Sequence, residues 1–369
     1  MSISIRIVST NRERRDFIRL PWRIYTGDPN WVPPLLSKMR NTIDAKTNGY
    51  LRKGPHRLFI AYKDGQPAGR IMAGVDERMH EAKHSKDGWF ALFESLDDFE
   101  VARGLLEAAY AFLHEAGCDK MRGPLSPTGD DNYRGLLYEG FDSPPVLMDS
   151  YNPKYYDDLI TRFGLAKNND YFAYRVTYRM PKNPKAAAYA QKRYGFRLDK
   201  LDKKHLGREV KDIKTILDRA MPEWPDQMPP SEQDLAGVAR DLKAYADPDL
   251  IYIARAGSEP IGFSLTMPDL NQALIHLNGR LIPLGWLKFL YWRRRIVALR
   301  FFVLFVVPQW RQKGVTAAIY VKTFEEAAKK GMQWGEGSTI REENAAMRRD
   351  AERAGGVHYK TYRIYSKII

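Results

Sequence analysis

Residues 301–331 read FFVLFVVPQWRQKGVTAAIYVKTFEEAAKKG. The apolar run 301–307 fits a buried strand, and the residues after Gly314 carry apolar side chains at helical spacing. Between them stand Pro308, the cationic Arg311 and Lys313, and Gly314. A helix start offers unpaired N–H groups and a partial positive charge. Gly314 lets the backbone come close to an anion, and Arg311 and Lys313 add charge. The junction is therefore read as a seat for phosphate, with a mere helix cap as the alternative reading. The pattern Arg311-x-x-Gly314-x-Thr316 differs from a P-loop, which ends in Gly-Lys-Ser/Thr, and from the G-x-G-x-x-G of a dinucleotide fold.

Working outward, the chain repeats itself. Shifted by 193, positions 29–76 fall on 222–269 without a gap, and Pro29, Trp31, Pro55, Pro67 and Gly69 meet Pro222, Trp224, Pro248, Pro260 and Gly262. LFIAYKDGQPAGRIMAGVD (58–76) lies over IYIARAGSEPIGFSLTMPD (251–269), and each reads as a hairpin with a Gly-containing turn. Upstream, Phe17, Leu20 and Ile24 lie over Val210, Ile213 and Leu217, one apolar helix face in each half. Downstream, WFALFES (89–95) parallels FFVLFVV, and helix 101–117 parallels 315–331. Both halves therefore run strand, helix, hairpin, strand, helix. The seam is expected near MPKNPK (180–185), which gives domains of 1–182 and 183–369.

The bulk composition fits a soluble two-domain protein of 369 residues with 44% hydrophobic and 28% charged residues. The one cysteine, Cys118, rules out an internal disulfide and suits a reducing, cytoplasmic setting. A net charge of +14 attracts polyanions, whether nucleic acid, anionic lipid or a phosphorylated cofactor. No nucleic-acid motif accompanies the charge, so no nucleic-acid partner is expected.

The strand, the R-x-x-G-x-T turn and the helix resemble the acetyl-CoA pyrophosphate loop of the GNAT acyltransferase superfamily. Its usual form is Gln/Arg-x-x-Gly-x-Gly/Ala, and Thr316 departs at the last position. REENAAMRRDAERAGG (341–356) resembles the next motif of that superfamily, with Asn344 as its Asn and Gly355 as its Gly. FIRLPWRIYTGDPNWVPPL (17–35), RGPLSPTGDDNYRGLLYEGF (122–141) and YKTYRIYSK (359–367) resemble a bacterial group with two GNAT-like halves. Some members of that group are assigned as bacterial ceramide synthase, which N-acylates a sphingoid base.

The resemblance implies an α/β fold with two GNAT-like domains in tandem, each a mostly antiparallel twisted sheet flanked by helices. It implies acyl-CoA or acetyl-CoA as co-substrate, held by Arg311, Gln312, Lys313, Gly314, Val315 and Thr316, with Asn344 on the pantetheine arm. An oxyanion donor is implied among the backbone N–H groups of Phe305, Val306 and Val307. No metal is implied. The matching turn of the first half reads FESLDDFEVA (93–102); Glu94, Asp97, Asp98 and Glu100 would repel a diphosphate there. The first half is thus expected to hold no CoA.

Acyl transfer from a thioester to an amine needs a base, a stabilised oxyanion and a leaving thiolate. Asp269, at the end of the hairpin, is the first choice of base and His276 the second; the alternative readings are a turn residue and an exposed histidine. The superfamily's usual acid is a Tyr at the position held here by Ala351. Tyr359, Tyr362 and Tyr365 are the substitutes, with packing in a terminal strand as the alternative.

LIPLGWLKFLYWRRRIVALR (281–300) mixes aromatics with arginines, a composition suited to an anionic membrane surface or to a core helix with a basic face. The acceptor is accordingly a lipid amine, or else a small soluble amine, and a non-catalytic membrane or interaction module is the third reading. HEAKH (80–84) matches the zinc signature H-E-x-x-H but sits in a polar connection without an apolar face, so a zinc site is not expected.

Overall fold

A computed structural model describes residues 2–369 except 131, 178–183, 225–227, 232, 233, 236, 238, 240–242, 244 and 245. In chain order the elements begin β1 (Ile3–Ile7), α1 (Asn11–Ile24), α2 (Leu36–Thr42), β2 (His56–Lys63), β3 (Gln66–Val75), α3 (Glu77–Lys83), β4 (Asp87–Ser95) and α4 (Phe99–Glu115). Then come β5 (Lys120–Gly123), β6 (Leu136–Glu139), α5 (Tyr156–Arg162), β7 (Ala166–Thr177), α6 (Pro184–Tyr194), β8 (Phe196–Lys200) and α7 (Leu206–Ala220). The remainder is β9 (Ile251–Ala256), β10 (Glu259–Pro268), α8 (Gly285–Arg293), β11 (Ala298–Val306), α9 (Val315–Lys329), β12 (Trp334–Arg341), α10 (Ala345–Arg353) and β13 (Val357–Ile368).

Two compact units result. One comprises Met1–Phe172, Leu270–Arg295 and Tyr359–Ile369; the other comprises Ala173–Asp269 and Ile296–His358. The seam expected at 180–185 falls largely outside the described residues. Two pieces of the second sequence half fold with the first unit, for reasons of hydrogen bonding. Trp22 Nε1 donates to Asn278 Oδ1 at 2.7 Å, Asn271 Nδ2 donates to the Pro145 carbonyl at 2.9 Å, and β13 pairs with β5 from Tyr365↔Gly123 to Ile368↔Lys120.

The first unit's sheet runs β1-β2-β3-β4-β5-β13, with β6 beside β13. The β2–β3 hairpin turns through Asp64 and Gly65, both at positive φ (48° and 77°), the pairing of angles that a tight hairpin turn requires. Val101, Leu105, Ala109 and Leu113 of α4 recur at helical spacing and pack on Ile71, Ala73 and Phe90. Phe17 and Ile18 of α1 pack with Ile60, Met72 and Trp89. Each such large side chain, fully buried, contributes roughly 1.5–3 kcal/mol. Thr10 and Glu13 close the start of α1 as a reciprocal capping box.

The second unit repeats the plan. Its sheet runs β8-β9-β10-β11-β12. β10 is antiparallel to both β9 and β11, while β11 and β12 are parallel; β3, β4 and β5 are related in the same way in the first unit. Ile213 and Ile216 of α7, Ile253, Ile261 and Phe263 of the hairpin, and Val315 and Ile319 of α9 share one core. The repeat read from the sequence is thus a repeat of topology.

Candidate active site

β11 pairs with β12 only from Ala298↔Trp334 to Phe301↔Gly337, and beyond that point the two strands part. A bulge marks the spot on the other edge, where Leu265 faces Val303 and the next β10 residue, Thr266, faces Phe301. Parallel strands that part leave backbone groups of β11 without a ladder partner.

Which groups these are follows from the register. Gly262 and Val306 face each other, and the Val307 N–H donates to the Ile261 carbonyl at 3.0 Å. That bond flanks a non-hydrogen-bonded pair, so the N–H and C=O of Val306 point away from β10, into the gap. The Val306 carbonyl accepts from Arg311 Nε at 3.3 Å; its N–H makes no hydrogen bond among the described residues. Of the expected trio, Val306 presents its N–H to the gap, and Val307 does not. The side chains of Phe301–Phe305 are only half-buried, with Phe301 edge-on to Tyr320 and Phe324 of α9.

The turn follows. Gln312 and Gly314 have φ of 62° and 79°. Gly314 is the N-cap of α9, and no side chain caps that helix. A Cβ at Gly314 would lie 2.6 Å from Ala190 Cβ of α6, so conformation and space both require glycine. Arg311 and Gln312 are exposed, Lys313 and Thr316 half-buried and Val315 buried. Arg311 was expected to add free charge; instead its Nη1 lies 2.5 Å from Glu223 Oε2. Both side chains are more than two-fifths exposed, and a surface pair of this kind is worth at most about 1 kcal/mol. Lys313 Nζ lies over the Trp310 ring, 4.8 Å from its centroid.

The equivalent junction of the first unit is closed by its own chain. There Ser95 faces Gly69, and Leu96 N–H donates to the Ala68 carbonyl at 2.9 Å, the same register as at Val306. The Ser95 N–H is taken by Tyr156 Oη at 2.9 Å, and that hydroxyl donates to Glu94 Oε2 at 2.8 Å. Tyr25 Oη reaches the same carboxylate at 3.0 Å, and Arg70 Nη2 lies 3.3 Å from Glu94 Oε1. Burial raises the Glu94 pKa, against the pull of Arg70 in the other direction. Asp98 caps α4 by accepting from Glu100 N at 3.0 Å and Val101 N at 3.4 Å, and it also pairs with Lys63. Sequence reading found the acids but missed Tyr156, whose one trace is its place after Tyr155 at the start of α5.

The remaining expected residues divide between the units. Asp269 is buried in the second unit, its N–H bonded to the Ala298 carbonyl at 2.9 Å. Asn344 does not stand free: its Oδ1 accepts from Met347 N at 3.1 Å and caps α10. His276 belongs to the first unit, stacked on Trp292 with centroids 3.7 Å apart; lost hydration lowers its pKa. Tyr359, Tyr362 and Tyr365 also belong to the first unit. Tyr362 is fully buried, Tyr365 donates to Asp157 with its pKa raised by burial, and Tyr359 is the half-exposed one. Ala351 is buried in α10. Sequence reading also passed over Arg300 and Glu336, both buried and facing each other in register one step before the strands part. Two opposite charges in otherwise apolar or Gly-rich strands were the signal. In α3, His80 Nε2 is bonded to the Asp87 carbonyl at 2.9 Å, and the described residues hold no cluster able to take a metal.

Two curated proteins match along almost their whole length. The bacterial ceramide synthase of Caulobacter vibrioides is 30% identical over 100% of this chain and 98% of its own. The chain belongs to the bacterial tandem-GNAT acyltransferases. Protein YghO of Escherichia coli is also 30% identical, over 99% of this chain and 95% of its own. Among solved structures, a tandem GNAT protein from the clavulanic acid biosynthesis pathway superposes with a TM-score of 0.60 at 10% identity, covering 100% of this chain and 98% of that one. That likeness is one of fold. No protein-family model matches the chain. This tandem-GNAT acyltransferase therefore carries one open and one closed copy of the same junction.

Proposed function

We propose that this acyltransferase moves a long-chain acyl group from CoA to the amine of a lipid such as a sphingoid base. The supporting observation is the contrast between the two junctions: Val306 N–H and the start of α9 are open, whereas Ser95 N–H and the start of α4 are occupied. In this reading the CoA diphosphate lies on the turn 311–316 and the pantetheine arm runs along the part of β11 that β12 leaves unpaired. The amine attacks the thioester carbonyl, and the oxyanion that forms accepts from Val306 N–H. Asp269, the expected base, stands opposite Ala298, roughly 20 Å along the strand from Val306, and does not reach the amine; in this reading the amine gives its proton to solvent, and collapse of the intermediate releases the CoA thiolate. The name of the Caulobacter relative supports a lipid amine as acceptor. Such an acceptor lies in a bilayer, and 281–295, the part of 281–300 outside the core, is the segment suited to an anionic membrane surface at the cytoplasmic face. No described helix is long and apolar enough to cross a membrane.

The test is a purified-enzyme assay with palmitoyl-CoA or acetyl-CoA and either a sphingoid base in mixed micelles or small soluble amines, read by mass spectrometry. A long-chain amide of the lipid base is the expected product. Acetylation of the soluble amines alone would overturn the lipid acceptor and leave the acyltransferase chemistry in place.

A further inference from the structure

Helix α8 is built inside out. None of its nine residues is buried. At 100° per residue, Trp286, Leu290, Leu287 and Tyr291 fall on one continuous arc of the helix. These four, with Ile282 and Leu284 just before them, are between 46% and 83% exposed. The opposite side carries Phe289 and Trp292, which are less exposed, and Trp292 stacks on His276 to hold the helix to its unit. A helix on a water-facing surface normally shows the reverse pattern. Half of the large exposed hydrophobic side chains among the described residues lie in these ten positions, a concentration that marks an interaction site.

The charges around the arc indicate what it meets. Arg280, Lys288, Arg293, Arg294 and Arg295 are all exposed, and none makes an ion pair among the described residues. No Asp or Glu occurs anywhere from 270 to 324. Lys288 and Arg293 flank the arc on either side, and Arg295 lies over the Tyr291 ring at 3.7 Å. Trp and Tyr at the edge of an apolar strip, bordered by unpaired cations, match the boundary between acyl chains and anionic headgroups.

We infer that α8 with 280–284 is a seat on an anionic lipid surface: Ile282, Leu284, Trp286, Leu287, Leu290 and Tyr291 enter the interface while the five cations hold headgroups. This deepens the lipid reading of the acceptor but does not depend on turnover.

The test is flotation of the full chain with vesicles of phosphatidylcholine alone or with about one-third phosphatidylglycerol. The parent should float with the anionic vesicles, less so at high salt. Trp286→Ser with Leu290→Ser should lower the bound fraction about tenfold, and Arg293→Glu with Arg294→Glu should remove the preference for anionic lipid. Both pairs are exposed, and circular dichroism checks their folding. Parent protein left unbound by both vesicles, or a Ser pair that binds like the parent, would overturn the inference. So would gel filtration without lipid showing a parent dimer that the Ser pair dissolves, because the arc would then join two copies of the chain. No readout uses CoA, so failure here leaves the acyl-transfer reading intact, and loss of CoA binding leaves this one intact.

Discussion

At Ser95 the N–H that faces away from β3 is held by the Tyr156 hydroxyl; at Val306 the matching N–H faces a gap. Substitutions at single residues separate the two cases. Gly314→Asp places a side chain where φ is 79° and Ala190 is adjacent, and sets a carboxylate at the anion seat. CoA affinity by calorimetry should fall at least about tenfold, or 1.4 kcal/mol. Lys313→Glu, which spares the backbone, should move the same way. Tyr156→Phe strands the Ser95 N–H in the core, so chemical denaturation should show a loss of about 1–3 kcal/mol with CoA affinity unchanged. A third residue reports on pH. The N–H groups of Ser9 and Thr10 hold the Glu13 pKa down to about 2. A lowered carboxylate pKa stabilises the fold at pH above its unfolded value, about 4.3, and that contribution fades as pH falls toward 2. The difference in melting temperature between parent and Glu13→Gln should therefore be full at pH 6 and shrink below about pH 4.

At the scale of elements, the hairpins and the strand–turn–helix units were legible because their signals are local. Asp64-Gly65 and Gly257 mark the turns, and the spacing of Val101, Leu105 and Ala109 marks a helix face. The open junction was legible from Gly314 for the same reason. The closed one was only half legible, since its acids sit in the strand–helix turn but Tyr156 comes from a later helix. Likewise 281–300 read as one segment, yet it divides: α8 ends at Arg293, and Ala298–Arg300 is buried as the start of β11. Composition does not register that change of period. An insertion in α8 should be tolerated by CoA binding, since β11 restarts independently at Ala298; calorimetry on a variant lengthened by one alanine after Leu287 would test this.

For the whole molecule, duplicated topology with a single open junction predicts a stoichiometry. Titration should find one CoA per chain, and a second site of comparable affinity would contradict the role given to Glu94 and Tyr156. The two-part plan was visible in the repeat, whereas the true membership of the units was not. Segments 270–295 and 359–369 join the first unit through hydrogen bonds to partners far off in sequence, such as Trp22, Pro145 and Gly123. Nothing in their own composition announces those partners.

That interleaving bears on how the polypeptide is made. Strand β13, residues 357–368, seals a sheet whose β5 and β6 end before residue 140. A ribosome must therefore finish nearly everything else while β5 waits with one bare flank, ready to stick to a neighbour. Growing chains should lean on chaperones during that interval, and a stop codon near 355 should yield an aggregate rather than a shortened enzyme.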